Sequence, residues 1–577
     1  MRVGPAILAA SGAILQPTIT PPGMPSAVAS AACKDGVTAM KKCTDFATAS
    51  KLLSELRSSD LADVFAYATA ISVYGKCGRW EEAVALLDSM EADGLIPDRP
   101  CFNSALAACA RSGRPAEATE LLERMVCASL PPLAASYAAA GRAALQADDP
   151  IGAIAVMEKL RCSGVSTHLA SLKVELSAHD ALLAASGSDP VPLAGDGSAA
   201  ARDSSHRIAQ LTHQTLHVGS DGSSSGLSSS DMTWLWRTYS RAQLHAIRLR
   251  LRRDETLSTD ADATASLLAA LSRSTTTGQM PCFQNEQALA GYTDFHLINR
   301  ASKVADVLRA REPSWLPAAA ASVVRRPVIS LGGGPAYDLA ALAVLRSFVE
   351  MAAAPPPAKD APTAASAQAI PPPVHVLDYE PRWSVAAASV RTAVQSVLGG
   401  QHEMHFGRCD VAEPLASPSN AAVAAALPKA RLLIASYVVC ENAKALEAGR
   451  YALFAEVMAE AKPGTMLLVL ETTHRQYPQL VAAARRGVDV GNAARGEECA
   501  LRVAVPETKG RGGSSCILLK EAGEVSAEET REQVLERAQE DDRLRQTLAH
   551  FAVDDARHRR DGRPVQVDWG GPRRRGF

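Results

Sequence analysis

The chain has no two cysteines at C-x-x-C spacing, although it carries 12 of them in 577 residues. That argues against zinc ribbons and small disulfide frameworks, and suits buried free thiols in a reducing compartment. It also lacks a charge excess: 60 basic side chains stand against 62 acidic ones, a formal net charge of -2. Any nucleic-acid binding must then come from local patches, not from a global field. No apolar run is long enough to span a bilayer as a helix; the Ala6 to Leu15 stretch is short and interrupted by Ser11 and Gly12, so a soluble protein with no membrane partner is expected. No aspartate cluster with metal-ligand spacing follows the repeats described next, so no metal is expected. Acids are missing before Asp35, where Arg2 is the single basic residue before Lys34 and Ala, Ser and Pro abound. Residues 1–45 therefore read as a disordered targeting segment, with a mitochondrion or chloroplast as destination and cytoplasm or nucleus as the alternative.

What is present begins with a period of 35 residues across Val64 to His168. Tyr67, Phe102 and Tyr137 coincide, as do Ala83, Ala118 and Ala153, then Leu86, Leu121 and Val156, and Met90, Met125 and Leu160. Gly78 and Gly113 mark a turn inside each unit, and segments such as Gly94 to Asp98 end the second helix. Each unit is a helical hairpin that must stack on its neighbours to bury its apolar face, so residues 46–185 predict a helical repeat array, degenerate at its start and fading after His168. Residues 186–231, dominated by Ser, Gly, Ala and Asp, read as a disordered linker. Residues 232–327 read as a helical segment that opens with an Arg-bearing helix over Met232 to Arg253.

From Val328 short apolar runs alternate with helical stretches, which indicates βαβ units and a largely parallel sheet. The candidate strands are Val328 to Leu331, Val374 to Leu377, Leu432 to Ser436, Met466 to Leu470, Leu501 to Val505 and Cys516 to Leu519. Residues 328–552 form this expected domain, with a Pro/Ala-rich disordered insertion at 355–373, a closing helix after Ser526 and a basic tail at 553–577.

The repeats resemble the pentatricopeptide repeat family, through Tyr67, Gly78, Glu82, Ala83, Leu87, Met90, Gly94, Pro97 and Asp98. The resemblance implies single-stranded RNA binding at one base per repeat. It places the reading positions at Ala68 with Asp98, Asn103 with Leu133, and Ala138 with His168. Ala and Leu cannot hydrogen-bond a base edge, so sequence selectivity is expected to be weak. A scaffold that binds a protein partner is the alternative use of such an array.

In Ile329 to Asp338 a strand runs into Gly332-Gly333-Gly334 and then a helix. Tyr337 occupies the place where a dinucleotide-binding loop needs a third small residue, and no phosphate-cradling G-x-x-x-x-G-K-S/T occurs. The loop resembles the first motif of class I methyltransferases, with Gly332, Gly334 and Ala336 at the small positions. Asp378 ends the second strand, where the family places an acid for the ribose hydroxyls. Asp410 in Cys409-Asp410-Val411 corresponds to the adenine contact, Leu432 to Tyr437 to the fourth strand, and Lys462-Pro463-Gly464 with Met466 to Glu471 to the fifth. Ser330 departs from the pattern, standing where the family commonly has an acid. The segment Gln284 to Arg300 and the motif spacing resemble, more faintly, the fungal ribosomal RNA uridine-N3 methyltransferases.

The resemblances imply a multidomain protein: an α-solenoid of helical hairpins joined to an α/β Rossmann-like class I methyltransferase domain. The implied cofactor is S-adenosyl-L-methionine, held by Gly332, Gly334, Ala336, Asp378, Asp410, Val411 and Ser436. A sulfonium donor is already activated, so few catalytic groups are needed. Those after the fourth strand, Ser436, Tyr437, Cys440, Glu441 and Asn442, would meet the acceptor, with Glu441 as proton acceptor and Tyr437 beside it. No Asp/Asn-Pro-Pro-Tyr/Phe follows that strand, and Cys440 lacks a preceding Pro. Both absences weigh against exocyclic-amine and cytosine-C5 chemistry. RNA is the expected acceptor; a protein or small-molecule acceptor, or a non-catalytic RNA-binding factor with a relic domain, are the alternatives.

Overall fold

A computed structural model describes residues 26–187, 197–217, 227–277, 283–310, 314–354, 371–471, 475–505 and 514–523. It divides into two compact units, Met1–Ala185 and Ser186–Phe577.

The first unit contains α1 (Ser26–Lys41), α2 (Phe46–Ser58), α3 (Val64–Lys76), α4 (Trp80–Ala92), α5 (Arg99–Ser112), α6 (Pro115–Cys127), α7 (Ala134–Gln146), α8 (Pro150–Cys162) and α9 (Leu169–Gly187). Their starts are written in the sequence. Asp45, Asp63 and Asp98 cap α2, α3 and α5 by accepting backbone N–H groups, and Pro115 and Pro150 sit in first turns, where a missing N–H costs nothing. The first helices α3, α5 and α7 pack side by side, each with its own second helix behind it. The core is made of the residues that the 35-residue period aligns, Tyr67, Phe102, Ala83, Ala118, Ala153, Met90, Met125 and Leu160, all buried. Each helix supplies its apolar face to the same kind of site in successive repeats, which is why the period is visible.

Two expectations change here. Residues 26–41, inside the segment read as disordered, form α1, because Cys33, Val37 and Met40 fall on one helical face and are buried in the repeat core. The register also persists past His168 as α9, which buries Leu172, Val174, Leu176, Ala178 and Leu183. Residues 1–25 lie outside the described residues.

The second unit opens with α10 (Gly197–Leu216), α11 (Ser229–Leu251), α12 (Ala261–Thr277), α13 (Glu286–Leu308) and α14 (Leu316–Val323). α10 corrects the linker reading of 186–231 over 197–216, while 188–196 and 218–226 lie outside the described residues. Its Ile208 and Leu211 are fully buried together with Ser204, Ser205, Thr212 and Thr215, and Thr215 returns its hydroxyl to the Leu211 carbonyl at 2.6 Å. The Ser205 hydroxyl instead reaches Gln243 of α11 at 3.5 Å, so small hydroxyl-bearing residues fill this core, bonded within the helix or to its neighbour, without raising bulk hydrophobicity. On α11, Arg248 and Arg252 each reach Asp294 of α13 with two hydrogen bonds of 2.8–2.9 Å, so these two arginines join helices.

Then come β1 (Val328–Leu331), α15 (Tyr337–Ala353), β2 (Val374–Asp378), α16 (Trp383–Leu398), β3 (Met404–Arg408), α17 (Ala421–Ala426), β4 (Leu432–Ser436), α18 (Ala443–Ala448), α19 (Ala452–Glu460), β5 (Thr465–Glu471), α20 (Tyr477–Arg495), β6 (Cys499–Ala504) and β7 (Ser514–Ala522). The sheet order is β3-β2-β1-β4-β5-β7-β6; β1 to β5 pair in parallel, while β7 runs antiparallel to both neighbours. β1, β4 and β5 are buried along their whole length, as expected for strands covered on both faces. The sixth and seventh strands match the last two expected runs with shifted ends. β3 was not expected. It is an edge strand whose side chains are half-buried or exposed, so it lacks the apolar run that betrays a central strand. Most of the Pro/Ala segment (355–370) and residues 524–577, which include the expected closing helix and basic tail, lie outside the described residues.

Candidate functional site

Strand order reverses between β1 and β4, and a crevice outside the carboxyl ends of such strands is where ligands bind in open α/β sheets. A cavity of about 310 Å³ lies there, lined by the glycine loop, Asp378, Asp410, Val411, Ser436, Tyr437 and Glu441 among others.

The glycine loop is built by backbone geometry. Gly332 and Gly334 have φ of +61° and +46°, and a Cβ on Gly332 would lie 2.5 Å from Val438 Cγ2. The loop and the end of β2 are tied together: the Gly334 N–H donates to Asp378 Oδ2 at 2.8 Å and the Glu380 N–H to Oδ1 at 3.0 Å. Burial pushes the Asp378 carboxyl up to about 6, against the pull of these two donors.

Ser330 and Ser436 both turn inward to one acid. Their hydroxyls donate to Asp338 Oδ2 and Oδ1 at 2.5 and 3.0 Å. Asp338 opens α15, is 1% exposed and still lines the cavity; burial raises its carboxyl above the ordinary range. The 410–414 loop is held by fully buried Asn420, which accepts from the Asp410 N–H at 2.9 Å and donates to the carbonyls of Asp410, Glu413 and Pro414 at 2.9–3.0 Å.

The opposite wall comes from helices that precede the sheet. Arg300 of α13 lies over the rings of Tyr437, Tyr292 and Tyr337 at 4.2, 5.1 and 5.7 Å. Among the described residues, it has no carboxylate within ion-pair distance. Leu271, Phe283 and Trp383 complete this apolar side, with Tyr292 and Phe283 packed on Trp383 at ring separations of 5.4 and 5.9 Å. Tyr437 has a left-handed backbone, φ +63°, a strained state that persists where surrounding structure over-determines it. Burial pushes the Glu441 carboxyl up to about 7, which suits proton exchange near neutral pH.

Of the expected cofactor residues, Gly332, Gly334, Asp378, Asp410, Val411 and Ser436 converge on this cavity, as do Tyr437 and Glu441. Ala336 does not. It is fully buried in the left-handed N-cap position of α15, where its small size serves the turn. Sequence reasoning missed Asp338, Asn420 and Arg300, which sit outside the motif positions and reach the site through folding alone. No group of three or more metal-ligating side chains with metal-site geometry occurs among the described residues, and no described helix is long and apolar enough to cross a membrane.

The six expected base-reading positions fare unevenly. Asp98 caps α5, accepting the Cys101 N–H at 3.0 Å. Asn103 accepts the Ser136 hydroxyl from the next repeat at 2.7 Å. Ala138 is 0% exposed and offers no surface to a base. His168 is exposed, with Nδ1 accepting the Ala170 N–H at 3.2 Å; Leu133 is exposed and Ala68 half-buried. Thus the array presents few free polar groups at the expected places.

The family model described as PPR repeat matches residues 65–95 and 100–130, so this part of the chain carries pentatricopeptide repeats. No curated protein matches. Solved structures with some likeness include the pentatricopeptide repeat protein PPR10 in complex with an 18-nt psaJ RNA element, at 16% identity over 50% of this chain and 46% of that one, TM-score 0.23. PPR10 from maize gives 14% identity over 80% of this chain and 62% of that one, TM-score 0.26. A structure assigned as an O-methyltransferase from Klebsiella pneumoniae gives 12% identity over 48% of this chain and 99% of that one, TM-score 0.22. The chain thus spans under two thirds of the length of either PPR10 structure.

Proposed function

We propose, for a chain that carries pentatricopeptide repeats in one unit and an α/β sheet in the other, that the second unit is a Rossmann-like S-adenosyl-L-methionine-dependent methyltransferase. In this reading the acceptor is RNA, and the repeats hold it. One observation carries the reading: a glycine loop and a strand-end carboxylate, Gly334 and Asp378, are hydrogen-bonded to each other at the strand-order reversal.

The residues present fit the cofactor. Gly332 and Gly334 let backbone approach a ligand closely, and Asp378 has lone pairs left over for two ribose hydroxyls. The Asp410–Val411 turn, fixed by Asn420, would meet the adenine edge. Asp338 is a buried acid with two hydroxyl donors, and Arg300 a guanidinium lying over three aromatic rings, close enough to Glu441 to feel its charge but with no ion pair among the described residues; an ammonium and a carboxylate at one end of a ligand would complement both. When bound, the cofactor supplies an activated methyl group.

The chain's own part is then alignment and proton transfer. Tyr292, Phe283 and Trp383 exclude water from the cavity. Glu441 accepts the proton that leaves a weakly acidic N–H or O–H acceptor, and Tyr437 bounds the acceptor position. Binding of RNA by the repeats, with weak base selectivity, would raise the effective concentration of acceptor at the site.

The test incubates the full chain with radiolabelled S-adenosylmethionine and total cellular RNA or protein. Label in RNA is expected. Label in the protein fraction alone would move the repeats to a protein-binding role, and no cofactor binding at millimolar ligand by calorimetry would end the enzymatic reading.

A further inference from the structure

Glu471 ends β5 and is 1% exposed, yet it does not line the cavity. Its Oε1 accepts the Val439 N–H at 2.7 Å, while its Oε2 has no hydrogen-bond partner among the described residues. Val439 belongs to the turn that follows β4 and presents Tyr437 and Glu441 to the cavity. That turn is awkward backbone. It starts with the left-handed Tyr437, whose N–H is held by the Leu470 carbonyl at 2.6 Å, one residue before Glu471. β5 therefore grips the turn twice, once by main chain and once by a carboxyl group. A left-handed backbone is disfavoured for a non-glycine residue, and the grip from β5 offsets that cost.

A buried carboxyl whose second oxygen is unsatisfied is costly to keep, and invites a reason beyond packing. The reason visible here is its neighbour. Facing Glu471 are Glu441 and the Cys440 thiol from the turn, Lys303 of α13, and the hydroxyls of Tyr437, Tyr451 and Tyr477. Of these only Glu441 is a second acid, and Glu441 itself faces the Arg300 guanidinium, which favours its charged form, and the Asp378 carboxyl, which opposes it. Glu441 stands two residues beyond Val439, and its negative charge raises the Glu471 carboxyl, so the two do not ionise independently, and a proton kept by Glu471 lets Glu441 stay charged.

We propose that Glu471 is the positioning residue of the acceptor wall: it clamps the 437–440 turn through the Val439 N–H, and by holding a proton it keeps Glu441 ionised as proton acceptor. The clamp half stands on geometry alone; the proton half deepens the methyltransferase reading and rests on it. Burial supports the assignment, since the Glu471 carboxyl is pushed up to about 8 and that of Glu441 up to about 7.

The experiment uses the full chain and three variants, Glu471→Gln, Glu471→Ala and Glu441→Gln. The infrared band of protonated buried carboxyl is followed against pH, and the component lost in Glu471→Gln is assigned to Glu471. In Glu441→Gln that component should titrate at least half a pH unit lower, because the neighbouring negative charge is gone; an unchanged midpoint overturns the shared proton. For the clamp, calorimetry with S-adenosylhomocysteine should give an affinity within threefold of wild type for Glu471→Gln, which keeps an acceptor for Val439, and at least tenfold weaker for Glu471→Ala. Equal affinities in both variants overturn the clamp. If wild type fails to bind the probe, the methyltransferase reading fails, while the infrared titration still decides the coupling. Should Glu471→Ala not fold, a tenfold loss in Glu471→Gln refutes the clamp by itself.

Discussion

Asp378→Asn separates ligand binding from stability, because the two effects have opposite origins at this residue. In the wild type each carboxylate oxygen accepts one backbone N–H, from Gly334 and from Glu380. Asparagine keeps one acceptor and turns an amide N–H₂ toward the other donor, a loss of about 1–3 kcal/mol. Against that, burial raises the Asp378 carboxyl from 3.8 to about 6, so its charge costs about 3 kcal/mol above the upper value, and the neutral amide removes that cost. The terms nearly cancel. The melting temperature at pH 7.5 should move by no more than about 3 °C. Ligand binding has no such compensation. Ribose hydroxyls that donate to an ionised acceptor contribute about 1.5–3 kcal/mol each, and a single amide oxygen recovers only a fraction. A net loss of about 2–4 kcal/mol weakens the S-adenosylhomocysteine Kd by roughly 30- to 1,000-fold. Calorimetry on the full chain reads it, and a pH series adds a second check. The ionised form is the one that binds, so wild-type affinity should fall as pH drops below about 6, whereas the variant should be flat. Unchanged affinity at unchanged melting temperature would show that the ribose site lies elsewhere.

Two further outcomes follow from buried charge. Glu441 and Glu471 are raised to about 7 and about 8 from 4.5, so the folded state holds their protons more tightly than the unfolded chain. Their contribution is fully present below pH ~4.5 and is lost as pH rises through 7 to 8; urea titrations should show lower stability at pH 8.5 than at pH 6, and a rise instead would contradict the raised carboxyls of both. Lys520 donates to the carbonyls of Met458, Ala459 and Ala461 at 2.7–3.1 Å and so caps the end of α19 from β7. Lys520→Met leaves three carbonyls without that donor and should cost about 2–4 kcal/mol in the same titration; a loss under about 0.5 kcal/mol would mean that other donors replace it.

Legibility followed how local each signal is. The repeats were readable because every hairpin solves the same packing problem, so Tyr67, Phe102 and Tyr137 recur in register. The buried strands Val328–Leu331 and Leu432–Ser436 were readable because a strand covered on both faces must be apolar throughout. Edge strand β3 carries Glu403, His405 and Arg408 in or beside it and has no such requirement. Helix α10 hides in a Ser-rich stretch since small hydroxyl-bearing residues, Ser204, Ser205, Thr212 and Thr215, take buried positions beside Ile208 and Leu211. At the site, Asp378 and the glycines lie at the ends of strands and were found by position. Arg300 and Tyr292 enter from a helix more than thirty residues upstream, and no spacing rule links them to the loop.

Ser330, the departure from the methyltransferase pattern, has a physical account in its neighbour. Its hydroxyl donates to Asp338 at 2.5 Å. If an acid stood at 330, two fully buried carboxyls would meet at that separation, and one would have to take up a proton or the loop would have to open. A serine at 330 is therefore what an aspartate at 338 requires: the hydroxyl donates where a second carboxylate would repel. The first turn of α15 returns to the end of β1, so a residue eight positions along the chain brings a carboxyl group to the same cavity wall, with Ser436 of β4 supplying its other donor. The departure from the expected pattern and the unexpected acid are one arrangement. For a cationic group of the proposed cofactor, what would matter is where the acid stands in space, whichever residue carries it.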